Sequence, residues 1–317
     1  MRIVVTGGAG FVGKELVRQL RAEADLLIVD ILRYGTPEWL KDEVAGPGFR
    51  RVDIRDAAAV KAVIEDFQPD VVVHLAAIHY IPECDADPAN AVSTNVTGTV
   101  NVLAACPPGT RFVFASSGAV YQPDEAAHRE LDSPLEPADI YGITKLHGEA
   151  YVRAFAADRG ISAGIVRLFN VIGPGETNPH LLPAIVAQLR EGVDTIDLGN
   201  IWPKRDYIDV RDAAGGFAAV AMGKNPAGVD CEVVNLGSGQ QYSVEEVLAR
   251  MRSVLGLTFE IRQDPKRMRA VDRPYLGADI SRIHDIFGWS PQYELDSTLQ
   301  RTWATPDFLP DLQGRLT

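Results

Sequence analysis

Hydrophobic positions in the first half of the chain gather into short, nearly unbroken runs rich in β-branched residues: Ile3 to Val5, Leu26 to Val29, Val71 to Leu75, Phe112 to Ala115 and Ile165 to Leu168. A run without polar alternation must be covered on both faces, which predicts strands of a parallel sheet between two helix layers. Between these runs apolar residues recur at helical spacing. They predict helices over Phe11 to Ala22, Ala57 to Phe67, Ala89 to Ala105 and Ile140 to Asp158, the third stopped by Pro107-Pro108-Gly109. Strand and helix in alternation make an α/β fold with a doubly wound parallel sheet.

After about Asn170 the texture changes. Gly173-Pro174-Gly175 marks a loop, a helix is predicted from Leu181 to Glu191, and short strands and helices follow up to Trp303. A chain of 317 residues exceeds one ordinary domain, so this half reads as a smaller α+β domain. Glu232 to Leu236 is strand-like and is expected to rejoin the main sheet, which makes the division interleaved. Residues 1–170 with about 204–238 form the larger unit, and about 171–203 with 239–317 the smaller.

The first strand runs into Thr6-Gly7-Gly8-Ala9-Gly10-Phe11-Val12-Gly13 and directly into a helix. Gly7 permits the tight turn, Gly10 lets backbone amides approach a pyrophosphate, and Gly13 lets helix and strand pack closely. The amides of Phe11 and Val12 open the helix, whose N-terminus offers donors and positive potential to phosphate. In this context the sheet is of the Rossmann type, and a dinucleotide is the expected cofactor. The second strand ends in Asp30, where a carboxylate accepts the ribose hydroxyls and repels a 2′-phosphate, so NAD is expected over NADP; Arg33 nearby pulls the other way. Asp53, beside Ile54 at the end of the third strand, reads either as an acceptor for the adenine amino group or as a helix cap. His74-Leu75-Ala76-Ala77 closes the fourth strand in the small residues that a cofactor crossing the strand tips requires.

Tyr141 and Lys145 stand four residues apart on one helical face. An ammonium beside a phenol favours the phenolate and brings it toward use as a base near neutral pH. Ser117 leaves the fifth strand at its carboxyl end, the edge where ligands bind in such sheets, and its hydroxyl can join a proton relay with Tyr141. Ser117, Tyr141 and Lys145 are therefore the candidate catalytic set. His79 follows the fourth strand as a candidate extra acid or base titrating near neutral pH. Cys84 lacks an activating neighbour in sequence.

A net charge of −12 excludes an ordinary nucleic-acid binder. Three widely spaced cysteines fit reduced thiols and indicate neither a disulfide framework nor a metal site. No apolar stretch is long enough to span a membrane, and the strand-like start at Arg2 leaves no room for a leader. A cytoplasmic protein is expected.

The segments TGGAGFVG (Thr6 to Gly13), HLAA (His74 to Ala77), SSGAVY (Ser116 to Tyr121) and YGITK (Tyr141 to Lys145) resemble the extended short-chain dehydrogenase/reductase family, from the first strand to about Trp303. That resemblance implies reversible hydride chemistry with NAD on a nucleotide-diphosphate sugar, and a homodimer paired through the helices at Ala89 to Ala105 and Ile140 to Asp158. It also implies a supporting role for Asn95 behind the lysine, a substrate contact for Asn170, diphosphate contacts for Arg205 and Arg269, and a ribose contact for Asp272. His180 and Leu181 stand where the family contacts substrate, with His180 in place of the customary asparagine. Members that are dehydratases carry acids just after the catalytic hydroxyl. Gly118 and Ala119 occupy those positions here, so the pattern is most similar to the UDP-glucose 4-epimerases. A nucleotide-4-keto-sugar reductase is the alternative; a dehydratase or a non-catalytic dinucleotide-binding protein is less favoured. The nucleotide base stays open.

Overall fold

The computed structural model describes residues 1–33, 40–41, 48–176, 178–267 and 273–305. The unbroken apolar runs become strands of one parallel sheet: β1 (Arg2–Thr6), β2 (Asp25–Asp30), β3 (Phe49–Arg51), β4 (Val71–His74), β5 (Arg111–Ser117), β6 (Ser162–Leu168) and, from the second half, β10 (Cys231–Leu236). Their order is β10-β6-β5-β4-β1-β2-β3, with every neighbour parallel. The order reverses at β1 and β4, and a cleft opens there at the carboxyl ends of the strands. Glu232 to Leu236 thus rejoins the main sheet, as its apolar run implies.

Both sheet faces are covered. Ile3 and Val5 point into a core with α1 (Phe11–Leu20) and α8 (Val210–Met222), where Leu16, Phe217 and Val220 pack. Val4 points the other way, to Ile64 of α2 (Ala57–Phe67), Val102 of α5 (Gly98–Ala105) and Val152 of α6 (Ile140–Arg159). This alternation is the period of a strand buried on both sides. A separate core holds the second unit, in which Leu182 and Ile185 of α7 (Leu181–Arg190) pack with Val247 and Leu248 of α9 (Val244–Leu255) and Leu299 of α11 (Leu295–Ala304). Its sheets are small: β9 (Lys204–Asp209) pairs with β7 (Asn170–Ile172), β11 (Gln241–Ser243) and β13 (Tyr275–Leu276), and β8 (Thr195–Leu198) pairs with β12 (Glu260–Gln263).

The helix expected over Ala89 to Ala105 is not uniform. It begins as α4 (Pro88–Val92), widens into a π-turn at Ser93–Thr97, and resumes as α5. Such a turn holds one residue more than an α-turn. Asn95, within it, is buried and bonded in both directions to the backbone of Ile78, at 2.8 Å each way. A further short helix, α3 (Ile81–Ala86), precedes it, and α10 (Ser281–Phe287) packs against β10.

Candidate active site

A cleft of about 1490 Å³ lies across the strand tips, larger than the roughly 300–1,000 Å³ usual for one small ligand. Its floor is the turn between β1 and α1. Gly7 has φ +71°, and a Cβ there would sit 2.7 Å from Ala76 N. A Cβ on Gly13 would stand 2.3 Å from Gly7 O, so helix and strand approach as only glycine allows. The first turn of α1 contains no acid, and Gly10 enters it with no side-chain cap, which leaves its amides to an anion. Phe11, Val12, Ile54, Leu75, Ala76 and Ala77 line the same wall.

Asp30 closes β2 with its carboxylate accepting from Ala9 N (3.1 Å) and Leu32 N (2.8 Å). Burial raises its pKa, opposed by those backbone bonds, and lone pairs remain for hydroxyl donors. Arg33 pairs instead with Glu83, 2.5 Å away. Asp53 also lines the cleft, two residues past the end of β3. Arg55 binds its carboxylate (2.5 Å) and holds its pKa below the usual range. The helix cap is Asp56, which accepts from Ala58 N and Ala59 N. These donors and crowded glycines fit a dinucleotide. Asp30→Ala is expected to weaken NAD binding about 10–100-fold, the loss of a charge-assisted hydrogen bond; titration calorimetry checks this.

Asp139 caps α6 by accepting from Gly142 N (2.7 Å). The helix then carries Tyr141 and Lys145 one turn apart into the cleft, where Ser117 at the end of β5 meets them. Ser117 Oγ accepts from Ala119 N (3.1 Å). Lys145 Nζ donates to Ala115 O (2.8 Å) and lies 5.7 Å from the centre of the Tyr141 ring. In the protein alone, burial rather than the charge of Lys145 sets the titration of the phenol. Burial drives the phenol of Tyr141 well above its usual pKa, with Ser117 only partly opposing it, and burial lowers Lys145 to about 8. Desolvation is the largest cause for both groups.

His79 departs from expectation in the same way. Burial lowers it to about 4, helped by the charges of Lys145 and Arg33, so it is neutral at pH 7. Burial likewise pushes the Cys84 thiol up to about 11. His74 is shut inside, bonded to Thr6 Oγ1 (2.7 Å) and Thr99 Oγ1 (2.9 Å). Asn95 does not reach the cleft wall. Besides Ile78 it donates to Thr144 Oγ1 (3.0 Å), so it shapes the backbone entering the site and does not touch the cofactor surface.

The opposite wall is lined by Asn170 of β7, His180 and Leu181 at the start of α7, and Arg205 of β9. Arg205 Nη1 donates to the carbonyls of Lys204 (2.9 Å) and Arg273 (2.7 Å). Arg269 and Asp272 lie outside the described residues. Sequence reasoning missed Arg273, which lines the cleft, pairs with Asp139 (3.1 Å) and keeps Nη1 buried without a hydrogen-bond partner among the described residues. No motif marks it. Glu176 was missed too. It is buried 3.6 Å from His180 Nε2, and its proximity to His79 arises only in the fold.

Beneath Ser117 lies a buried polar cluster. Glu149 holds Arg167 through two bonds (2.8 and 2.7 Å) and accepts from Ser116 Oγ (2.6 Å). Arg167 Nη1 also donates to Tyr121 OH (2.9 Å), which donates to Asn235 Oδ1 (2.7 Å). Burial acts to lower the guanidinium's pKa, but Glu149 outweighs it and holds Arg167 above its usual value. Arg167 is thus neither a surface ion pair nor a cleft residue.

The comparisons with known proteins agree with this geometry. The model of the NAD dependent epimerase/dehydratase family matches residues 3–237. The chain is 31% identical over 312 residues to the GDP-6-deoxy-D-mannose reductase of Pseudomonas aeruginosa, covering 94% of this chain and 95% of that one. It is 30% identical over 326 residues to the UDP-glucose 4-epimerase of Lactobacillus helveticus, covering 96% of both. The structure of the Thermus thermophilus UDP-glucose 4-epimerase in complex with NAD superposes with a TM-score of 0.82 at 27% identity, covering 98% of this chain and all of that one. A chain matched over most of its length by the family model, with relatives at 30% identity or more end to end, is an NAD-dependent enzyme of the epimerase/dehydratase family.

Proposed function

We propose that this enzyme is a nucleotide-sugar 4-epimerase that uses tightly held NAD and oxidises the sugar transiently at C4. The observation that carries the reading is the meeting of Ser117, Tyr141 and Lys145 at the carboxyl edge of the sheet, with no acid at Gly118 or Ala119. A Cβ at Gly118 would press on the Phe169 ring at 3.1 Å, so a dehydratase-type carboxylate there would have to displace that ring. In this reading Tyr141 acts as a phenolate whose Oη receives the proton of the sugar 4-hydroxyl while Ser117 Oγ hydrogen-bonds the same oxygen; the Ser117 hydrogen bond lowers the phenol's pKa, and the positive charges of Lys145 and of bound NAD would oppose the rise that burial causes. NAD, held over the turn from Gly7 to Gly13 and by Asp30, would supply reversible hydride acceptance at C4. Tyr141 Oη holds the hydroxyl proton while C4 is a ketone and gives it back to the same oxygen, so no net oxidation results.

Arg205 is the proposed contact for the substrate diphosphate and Asn170 for the substrate beside it, with Arg269 at the diphosphate and Asp272 at the ribose added by resemblance to the family. Arg205→Ala is expected to cost roughly 1.5 to 3 kcal/mol of substrate binding, read as a raised KM with kcat little changed; an unchanged KM would remove Arg205 from the assignment. The division into residues 1–170 with about 204–238 for NAD, and 171–203 with 239–317 for the nucleotide sugar, is supported by the return of α8 and β10 to the main sheet, β9 joining the two units. A homodimer through the helix running from α4 to α5 and through α6 is supported by Ile143 and Tyr151, two turns apart on α6 and exposed together with Val92 of α4. Tyr151→Glu is expected to yield monomers by light scattering on a sizing column. The buried free thiols Cys84 and Cys106 support a cytoplasmic location. Among the described residues no helix is long and apolar enough to cross a membrane.

The deciding experiment is to assay purified enzyme for bound NAD and follow UDP-, GDP- and dTDP-sugars by NMR. A C4 epimer formed without consumption of reduced cofactor supports the epimerase. Product formed only from a keto sugar with stoichiometric NAD(P)H would make it a reductase, the second reading favoured by the likeness to the Pseudomonas aeruginosa enzyme.

A further inference from the structure

Three metal-ligating side chains converge beside the cleft and take no part in the chemistry above. His79 lies in the loop after β4, Glu176 in the loop after β7, and His180 immediately before α7. One donor atom from each stands within 4.8 Å of the other two. The imidazoles of His79 and His180 are nearly parallel, 25° apart with centroids at 5.8 Å. Two polar neighbours set their orientation: Asn178 Nδ2 lies 2.9 Å from His79 Nε2, and the Tyr80 ring meets His180 edge-on at 5.4 Å. Glu176 is 7% exposed, and among the described residues no lysine or arginine pairs with its carboxylate. His180 is its recorded partner, at 3.6 Å.

A carboxylate taken out of water requires a proton or a cation beside it. Two imidazoles and one carboxylate form the donor set that holds zinc-like divalent ions while leaving a coordination position open. His79 and His180 both line the cleft, so that position faces the space where a ligand lies. We propose that His79, Glu176 and His180 form a binding site for a divalent transition-metal ion of the zinc class, open to the cleft. The cysteine pattern gave no hint of it, because the donors are histidine and glutamate from segments far apart in sequence. This site goes beyond the epimerase reading and does not depend on it.

The test uses the full chain stripped of metal by a chelator and titrated with Co²⁺, followed by its visible d–d absorption, with Zn²⁺ as competitor in calorimetry. The expected result is one saturable equivalent of Co²⁺, displaced by Zn²⁺. With the Asn178 amide turned so that Oδ1 accepts from His79 Nε2–H, His79 Nδ1 is left for the ion; Asn178→Ala, which removes that acceptor, is expected to weaken binding about 10–100-fold. His180→Ala and Glu176→Gln should weaken it further; Glu176→Gln preserves side-chain size and serves if the alanine variant fails to fold. A control pair on the exposed histidines, His147→Ala and His284→Ala, should bind as the parent does. Absence of saturable binding, binding unchanged in both Glu176→Gln and His180→Ala, or binding lost in the control pair would each overturn the site. NAD content and epimer formation, measured separately, keep this outcome apart from that of the catalytic reading.

Discussion

Tyr141→Phe is expected to lower turnover by about 10²–10⁴-fold, the usual contribution of a positioned acid–base group, while NAD content stays at the parent level. The substitution removes a single oxygen. Phenylalanine keeps the ring on the first turn of α6, where Asp139 caps the helix and Lys145 remains bonded to Ala115 O. What is lost is the atom proposed to exchange the C4 hydroxyl proton. The environment makes that atom sensitive: burial raises the phenol's pKa, and Ser117 is the neighbour that opposes the rise. Ser117→Ala should therefore share the loss in kcat, though less severely, because the phenol itself remains. Turnover is read from the rate of C4 epimer formation by NMR, and NAD by its release on denaturation. A Tyr141→Phe enzyme as active as the parent would remove Tyr141 from the reaction.

The second large effect concerns stability. Glu149→Ala is expected to destabilise the fold by about 3–5 kcal/mol, because it strands a buried charge and does not merely delete a contact. Arg167 is 1% exposed and donates two of its bonds to Glu149. With the carboxylate gone, the guanidinium is left buried without its counter-charge. Urea unfolding monitored by tryptophan fluorescence would measure the loss. Removing both charges together, Glu149→Leu with Arg167→Met, should recover much of it, since the pair's own desolvation cost disappears with the charges. Ser116 hangs from the same carboxylate (2.6 Å) and directly precedes Ser117, so Glu149→Ala is expected to lower kcat as well. A variant within about 1 kcal/mol of the parent would be inconsistent with a desolvated pair.

Much of this molecule follows from short stretches of its sequence. The strands at Ile3 to Val5 and Phe112 to Ala115 are legible because both of their faces are apolar. The phosphate turn is legible because only glycine takes φ +71° at Gly7 or tolerates the contact at Gly13. Tyr141 and Lys145 can be paired because one helical turn sets their spacing. Each of these depends on neighbours within a few residues.

Other features required the assembled fold. The π-turn at Ser93–Thr97 sits where Asn95 bonds the backbone of Ile78, 17 residues away. Arg167 finds Glu149 18 residues away across a buried interface. His79 meets Asn178 over 99 residues, and Glu176 and His180 arrive with it. The titration of Tyr141, Lys145 and His79 belongs to the same class: residue type and spacing pointed toward neutral-pH chemistry, whereas burial moved Tyr141 and His79 away from it and brought Lys145 down to about 8. Local sequence determined which elements form and which groups they carry. Only the tertiary structure decided which groups lose water and which charges face them, because desolvation and pairing depend on atoms that are near in space and distant along the chain.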